Sequence, residues 1–216
     1  MGVLVAGGSG ALGAAVVREL MDGYEVTVAD RHGEGSDGAA MVVADLLDPD
    51  GAAQAVAEVE DLEAVVNLVG GFASGPRTGE ADLEAFERML RLNLVPAFNL
   101  ARAAMPRLAD RGGGAFVCVS ARAALKPFSG AAGYITAKAG VLAFVKALDA
   151  EYVGEGVRSN AVLPSVIDTP ANRESMPRAD PSKWVAPEEI AKVIRFLISD
   201  DSAPVSGAGV PVYGRA

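Results

Sequence analysis

Short apolar runs alternate along the chain with longer stretches in which apolar residues recur every three or four positions. The runs VLVAG (3–7), EVTVAD (25–30), AMVVAD (40–45), AVVNLV (64–69), AFVCVS (115–120), VRSNAVL (157–163) and GVPVY (209–213) have strand length and are rich in β-branched residues. Between them, Ala11 to Met21, Gly51 to Val59, Asp82 to Asp110, Gly133 to Val153 and Pro187 to Ser199 carry the helical period. Nearly continuous apolar strands separated by helices predict a parallel sheet buried on both faces. The expected fold is α/β, a single domain over residues 1–216 with a doubly wound parallel sheet of about seven strands and helices on both sides.

The helix ends agree with this pattern. Pro187 opens the last helix with Glu188 and Glu189 in its first turn, where the helix dipole favours negative charge. Val141, Leu142, Val145 and Leu148 lay an apolar stripe along the helix that starts near Gly133. One insertion is irregular: TPANRESMPRADPSKW, residues 169–184, rich in proline and charge. A loop of that length in a compact domain signals function, and residues 169–186 are expected to close over a ligand.

Composition narrows the function classes. The chain of 216 residues has 28 acidic against 19 basic residues and a net charge of -9, with no run of Lys or Arg. That argues against nucleic acid as a partner. The single cysteine, Cys118, sits in the apolar run AFVCVS, so it reads as a buried strand residue with no disulfide partner, which suits a reducing cytoplasm. The start MGVLVAGGSG has no basic leader, and no segment approaches the roughly 18 apolar residues of a membrane span. A soluble, unprocessed cytoplasmic protein is the expectation.

The glycine turn VAGGSGALG ends the first strand and opens the first helix, and Gly8, Gly10 and Gly13 satisfy G-x-G-x-x-G. Such glycines give a tight turn, a close backbone approach to a pyrophosphate and tight helix-on-strand packing. Asp30 ends the second strand, at about the 20-residue offset from which a carboxylate reaches the adenosine ribose. A carboxylate there repels a 2′-phosphate, which favours NAD(H) over NADP(H); the neighbouring Arg31 could accept that phosphate and keeps NADP(H) open. Further on, GYITAK places Tyr134 and Lys138 four residues apart on one helix face. The pair is either one turn of a buried helix or a proton donor beside its electrostatic partner.

These features together resemble the short-chain dehydrogenase/reductase family over nearly the whole chain. The turn Gly7 to Gly13, Asp45 after the third strand, NLVGG from Asn67, Asn93 in RLNLVPAF, the Tyr134/Lys138 pair and LPSVIDTP all occur in the family's order. The resemblance implies a Rossmann-type oxidoreductase that moves a hydride between NAD(P)H and a small molecule. It implies cofactor contacts at Gly7, Ser9, Gly10, Leu12 and Gly13, at Asp30 and Arg31, and at Asp45 and Leu46. Further contacts are implied at Asn67 and Gly70, at Tyr134 and Lys138, and at Pro164, Ile167 and Thr169. It also implies Tyr134 as acid/base, Lys138 as its cationic partner and Asn93 as a relay to that lysine. On its own, without the resemblance, Asn93 reads as an amide satisfying backbone inside the helix over 82–110. A phenol ionises near pH 10, and a neighbouring ammonium and nicotinamide are expected to lower that value.

The chain departs from the pattern in telling places. The second asparagine of the usual pair is Leu68, and the glycine after Pro164 is Ser165. The serine that usually holds the substrate carbonyl falls at Ala121, one position after Ser120, and successive strand residues face opposite ways. Ser120 either reaches the substrate through a bulge or binds backbone. Dihydropteridine reductases, a branch of the family, share this loss, and they resemble the chain in ARAAL (121–125), in LVGGF (68–72) and along residues 163–184. A quinonoid dihydropterin is therefore the favoured substrate, with Phe72 and Trp184 able to sandwich it beside Ala121. The alternatives are a generic ketone or 3-oxoacyl reductase or alcohol dehydrogenase, and a dinucleotide-binding sensor without turnover. His32, in the polar loop DRHGEGSDG, is expected in solvent with no metal role. The family implies a homodimer or homotetramer through residues 82–110 and 133–153.

Overall fold

The computed structural model describes residues 1–33 and 38–215, so the part of the DRHGEGSDG loop at 34–37 lies outside the described residues. Seven strands, β1 (Gly2–Ala6), β2 (Glu25–Asp30), β3 (Ala40–Val43), β4 (Leu62–Asn67), β5 (Gly114–Val119), β6 (Val157–Pro164) and β7 (Gly209–Val212), form one sheet in the order β3-β2-β1-β4-β5-β6-β7. Every pairing is parallel. Because successive residues face opposite ways, β1 sends Val3 and Val5 to one core and Leu4 and Ala6 to the other. The helices α1 (Ala11–Met21) and α6 (Pro187–Ile198) cover the first face. The second is covered by α2 (Pro49–Ala57), α3 (Leu83–Asp110) and α4 (Ala132–Tyr152). No helix among the described residues is long and apolar enough to cross a membrane.

Element ends differ from the sequence reading where a polar side chain captures backbone. The strand expected over 64–69 stops at Asn67, whose own Oδ1 accepts the Val69 N–H at 3.1 Å. The helix expected from Gly51 starts at Pro49, because Asp48 caps it and proline suits the first helical position. Within 169–186 the chain forms a short helix, α5 (Pro170–Ser175), capped by Thr169, and a single 3-10 turn over Pro181–Lys183. The base of this segment is pinned to itself: Ile167 and Val185 form a parallel bridge, and the Asp168 N–H donates to Val185 O at 2.8 Å.

Candidate active site

All strands end on one crest, and the winding reverses between β1 and β4, the place where open α/β sheets bind ligands. At that point the chain turns sharply at Gly7, whose φ of +80° suits glycine alone. The tight-turn role expected within Gly8-x-Gly10-x-x-Gly13 therefore falls to Gly7. Gly8 instead packs on Val28, and Gly13 lies so close to the Gly7 and Gly8 carbonyls that a Cβ would stand 2.4–2.5 Å from them.

Gly10 caps α1 with no side-chain hydrogen bond, and no acidic residue occupies the first turn, so the helix amides stay open to an anion. Beside them the Ser9 hydroxyl is buried, with no hydrogen-bond partner among the described residues. The Ser9 N–H donates to Asp30 Oδ2 at 3.2 Å and the Arg31 N–H to Asp30 Oδ1 at 2.7 Å, which fixes the carboxylate at the end of β2 while leaving each oxygen further acceptor capacity. A cleft of about 250 Å³ runs along this crest, lined by Gly7, Gly10, Asp30, Arg31, Asp45, Leu46, Gly70 and Leu92 among others. Open helix amides and an oriented carboxylate on one cleft, with a buried, unbonded hydroxyl next to them in the glycine turn, fit a dinucleotide.

Not every expected contact lines that cleft. Leu12 packs into the core under α1. Asn67 turns its amide to Cys118 Sγ at 3.9 Å and so ties β4 to β5. Pro164 ends β6, Ile167 is held in the bridge to Val185, and the Thr169 hydroxyl caps α5. Leu92 was missed, since nothing in its spacing distinguishes it from the other apolar positions of α3. Two larger hollows, of about 400 and 710 Å³, open at the opposite, N-terminal end of the strands, away from the crest where such sheets carry ligands.

The first two turns of α4 bring Tyr134 and Lys138 onto one face, with Lys138 Nζ 6.0 Å from the centre of the tyrosine ring. Lys138 is buried and donates to Val119 O at 2.9 Å. Asn93, buried within α3, accepts the Gly71 N–H and donates to Gly71 O, both at 3.1 Å, and donates to Met89 O at 3.0 Å. A Cβ on Gly70 would lie 2.5 Å from Asn93 Oδ1 and 3.0 Å from Lys138 Nζ. The lysine, the asparagine and the wall of the cleft thus meet at one glycine. In this arrangement the Asn93 side chain is a bracket for the 70–71 backbone, which is the structural alternative held open for it.

One expectation is corrected. Burial pushes Tyr134 up to about 12, not down, because the desolvated phenolate outweighs an ammonium engaged with a carbonyl. The same burial lowers Lys138 to about 8. Ser120, read either as a substrate contact through a bulge or as a backbone-bound hydroxyl, is buried and donates to Lys138 O at 2.7 Å, which binds the end of β5 to α4. Among the described residues Phe72 meets Tyr134 edge-on, with centroids 5.0 Å apart and planes at 87°, and also touches Phe128; it makes no ring contact with half-buried Trp184. Phe128 was missed, although an aromatic in the turn KPFSG six residues before Tyr134 was a usable signal. His32 is exposed, as expected.

The comparisons agree with this geometry. Residues 2–180 match the family model described as short chain dehydrogenase. The 3-oxoacyl-[acyl-carrier-protein] reductase MabA of Mycobacterium bovis is 30% identical over 224 residues, covering 98% of this chain and 91% of that protein. The 4-formylbenzenesulfonate dehydrogenase TsaC1/TsaC2 of Comamonas testosteroni is 30% identical over 240 residues, covering 98% and 95%. A short-chain type dehydrogenase/reductase from Mycobacterium ulcerans superposes with a TM-score of 0.91 at 25% identity, over 99% of this chain and 88% of that one. An open dinucleotide cleft leading to a buried Tyr-x-x-x-Lys pair, on a fold and sequence matched end to end, has one meaning: the chain belongs to the short-chain dehydrogenase/reductase family and is an NAD(P)-dependent oxidoreductase.

Proposed function

We propose that this chain transfers a hydride between NAD(H) and a flat, conjugated small molecule, with Tyr134 exchanging the proton. The observation that carries the reading is the meeting of Lys138 and Asn93 at Gly70 on the wall of the cleft, with Lys138 one turn of α4 after Tyr134. A bound nicotinamide dinucleotide supplies or accepts the hydride. Ser9, the α1 amides and Asp30 would hold its phosphate and ribose end, and Lys138 its nicotinamide ribose. Tyr134 gives its hydroxyl proton to the substrate during reduction and recovers it through the hydroxyl's exposed side. Positive charge brought beside the ring stabilises the phenolate and offsets the burial that holds it near 12.

The cofactor preference follows from Asp30. A 2′-phosphate brought near this carboxylate is repelled by a few kcal/mol at the dielectric of a protein surface, and Arg31 offsets part of that. NADH is expected to bind roughly tenfold or more tightly than NADPH in a fluorescence titration, and equal or tighter binding of NADPH would overturn the preference. Lys138 adds a pH dependence. Its depressed value means that it is charged below about pH 8 and neutral above. The kcat/KM for NADH, which reports the cofactor-free protein, should be level below that pH and fall above it, and the limb should vanish in Lys138→Met.

A quinonoid dihydropterin is the narrower proposal. It rests on buried Ala121 at the place of the carbonyl-holding serine and on the likeness of residues 163–184 to the dihydropteridine reductase branch. An electron-poor conjugated ring needs a proton donor more than a polarising hydroxyl. The competing reading is an ordinary carbonyl or alcohol substrate, favoured by the names of MabA and TsaC1/TsaC2. Assaying NADH oxidation with quinonoid dihydropterin beside simple ketones and aldehydes separates the two. We also propose that residues 169–186 close over the bound substrate from the pinned Ile167–Val185 base, and that copies of the chain pair through α3 and α4. On those helices Phe98, which is exposed, and Phe144 stand 6.1 Å apart.

A further inference from the structure

Phe128 packs on Phe72, which in turn abuts Tyr134. Phe128 is 50% exposed and Phe72 is 60% exposed, so two large apolar side chains next to the tyrosine stay wet. A cluster of that kind marks a binding surface more often than a folding defect. The two phenylalanines come from different connections, Phe72 from the one after β4 and Phe128 from the one after β5. A backbone clip joins them: the Gly75 N–H donates to Gly130 O at 2.7 Å. Gly130 has φ +82°, and a Cβ there would stand 2.6 Å from Gly75 O, so the clip closes only around a glycine.

The clip sets the rings. Phe72 and Phe128 lie 6.4 Å apart at 44°, and Phe72 abuts Tyr134 at 5.0 Å. At those separations the rings touch one another, leaving no gap for a third between them. A planar ligand is therefore met by the face of a continuous wall that ends at the tyrosine.

We infer that Phe72 and Phe128 form an aromatic wall that holds the planar apolar ring of the substrate beside Tyr134, and that Phe128 sets the selectivity for aromatic over aliphatic substrates. The inference rests on the hydride-transfer reading for the word substrate, and on the wall alone for the ligand class. It assigns to the site a ligand with at least one flat ring, carrying at or beside the ring's edge the oxygen or nitrogen that exchanges its proton with Tyr134.

Two measurements test it separately. The affinity of 2-naphthol, a planar probe that hydride transfer cannot alter, is measured by its own fluorescence in the presence of NAD+. Phe128→Ala should weaken it about 3- to 10-fold, the range expected for losing one ring contact, and Phe128→Leu, which keeps apolar bulk without a ring, should weaken it too. The kcat/KM for 2-naphthaldehyde should fall by a similar factor relative to that for butanal. Unchanged naphthol affinity in both variants overturns the wall, as does an equal loss for the two aldehydes. A change in sedimentation with no change in affinity overturns it as well, by making the patch a subunit contact. If naphthol binds through the wall while the parent oxidises NADH with no aldehyde, ketone or pterin, the wall stands and the hydride-transfer reading falls.

Discussion

Tyr134→Phe should lose turnover by a factor of about 10²–10⁴ on any substrate while binding NADH as the parent does, the size of effect that removing a general acid produces. The substitution deletes one oxygen and leaves the ring, so the edge contact with Phe72 and the fit of α4's first turn survive. Among the described residues no hydrogen bond reaches the Tyr134 hydroxyl, and folding therefore loses nothing polar with it. The loss should appear in kcat with the cofactor affinity unmoved, because an interaction made only while the proton moves changes kcat. Thermal unfolding should be unchanged within about 1 kcal/mol. A Tyr134→Phe protein that oxidises NADH as fast as the parent would remove the proton-exchange role from this hydroxyl.

How much of this arrangement was legible beforehand depends on the distance over which each feature is decided. The parallel sheet was legible because seven apolar runs and their helical partners each carry a local period, and burial on both faces leaves only one way to stack them. The carboxylate at the end of β2 and the Tyr134/Lys138 face of α4 were legible because a strand end and an i, i+4 pair are also local facts. The short helix α5 was not, since six residues are too few to show a helical period.

Features decided through space were misread or missed. The spacing of Gly8, Gly10 and Gly13 cannot reveal that the left-handed turn belongs to Gly7, because a motif counts residues and not dihedral angles. The direction of the Tyr134 shift depends on whether the lysine charge or the loss of water dominates. Only the structure shows that Lys138 Nζ is taken up by Val119 O while the phenol is buried. Ser120 was correctly held open between two readings, and the bond to Lys138 O, eighteen residues away, decides between them. Phe128 reaches the site only because a glycine clip folds one connection against another.

Gly70→Ala should damage the site as severely as a change to the chemistry itself. Its new methyl would stand 2.5 Å from Asn93 Oδ1 and 3.0 Å from Lys138 Nζ, closer than non-bonded carbon approaches oxygen or nitrogen. Neither neighbour is free to yield. Asn93 is held by three hydrogen bonds, two to Gly71 and one to Met89 O, and Lys138 Nζ is held by Val119 O. Either the bracket opens and the cleft wall moves, or the lysine is driven from its carbonyl. A displacement of about 1 Å at a reacting centre costs on the order of 10²-fold in rate, and overpacking a filled site costs about 1–3 kcal/mol. We therefore expect kcat to fall on the order of 100-fold, cofactor affinity to fall with it, and the melting temperature to drop, measured against Gly79→Ala, where a Cβ meets nothing within 4 Å. The joint loss matters, because it separates this variant from Tyr134→Phe, in which affinity is kept. If Gly70→Ala binds NADH and turns over like the parent, then Lys138 and Asn93 do not need the contact at Gly70, and the link between cleft and catalytic helix drawn from it is wrong.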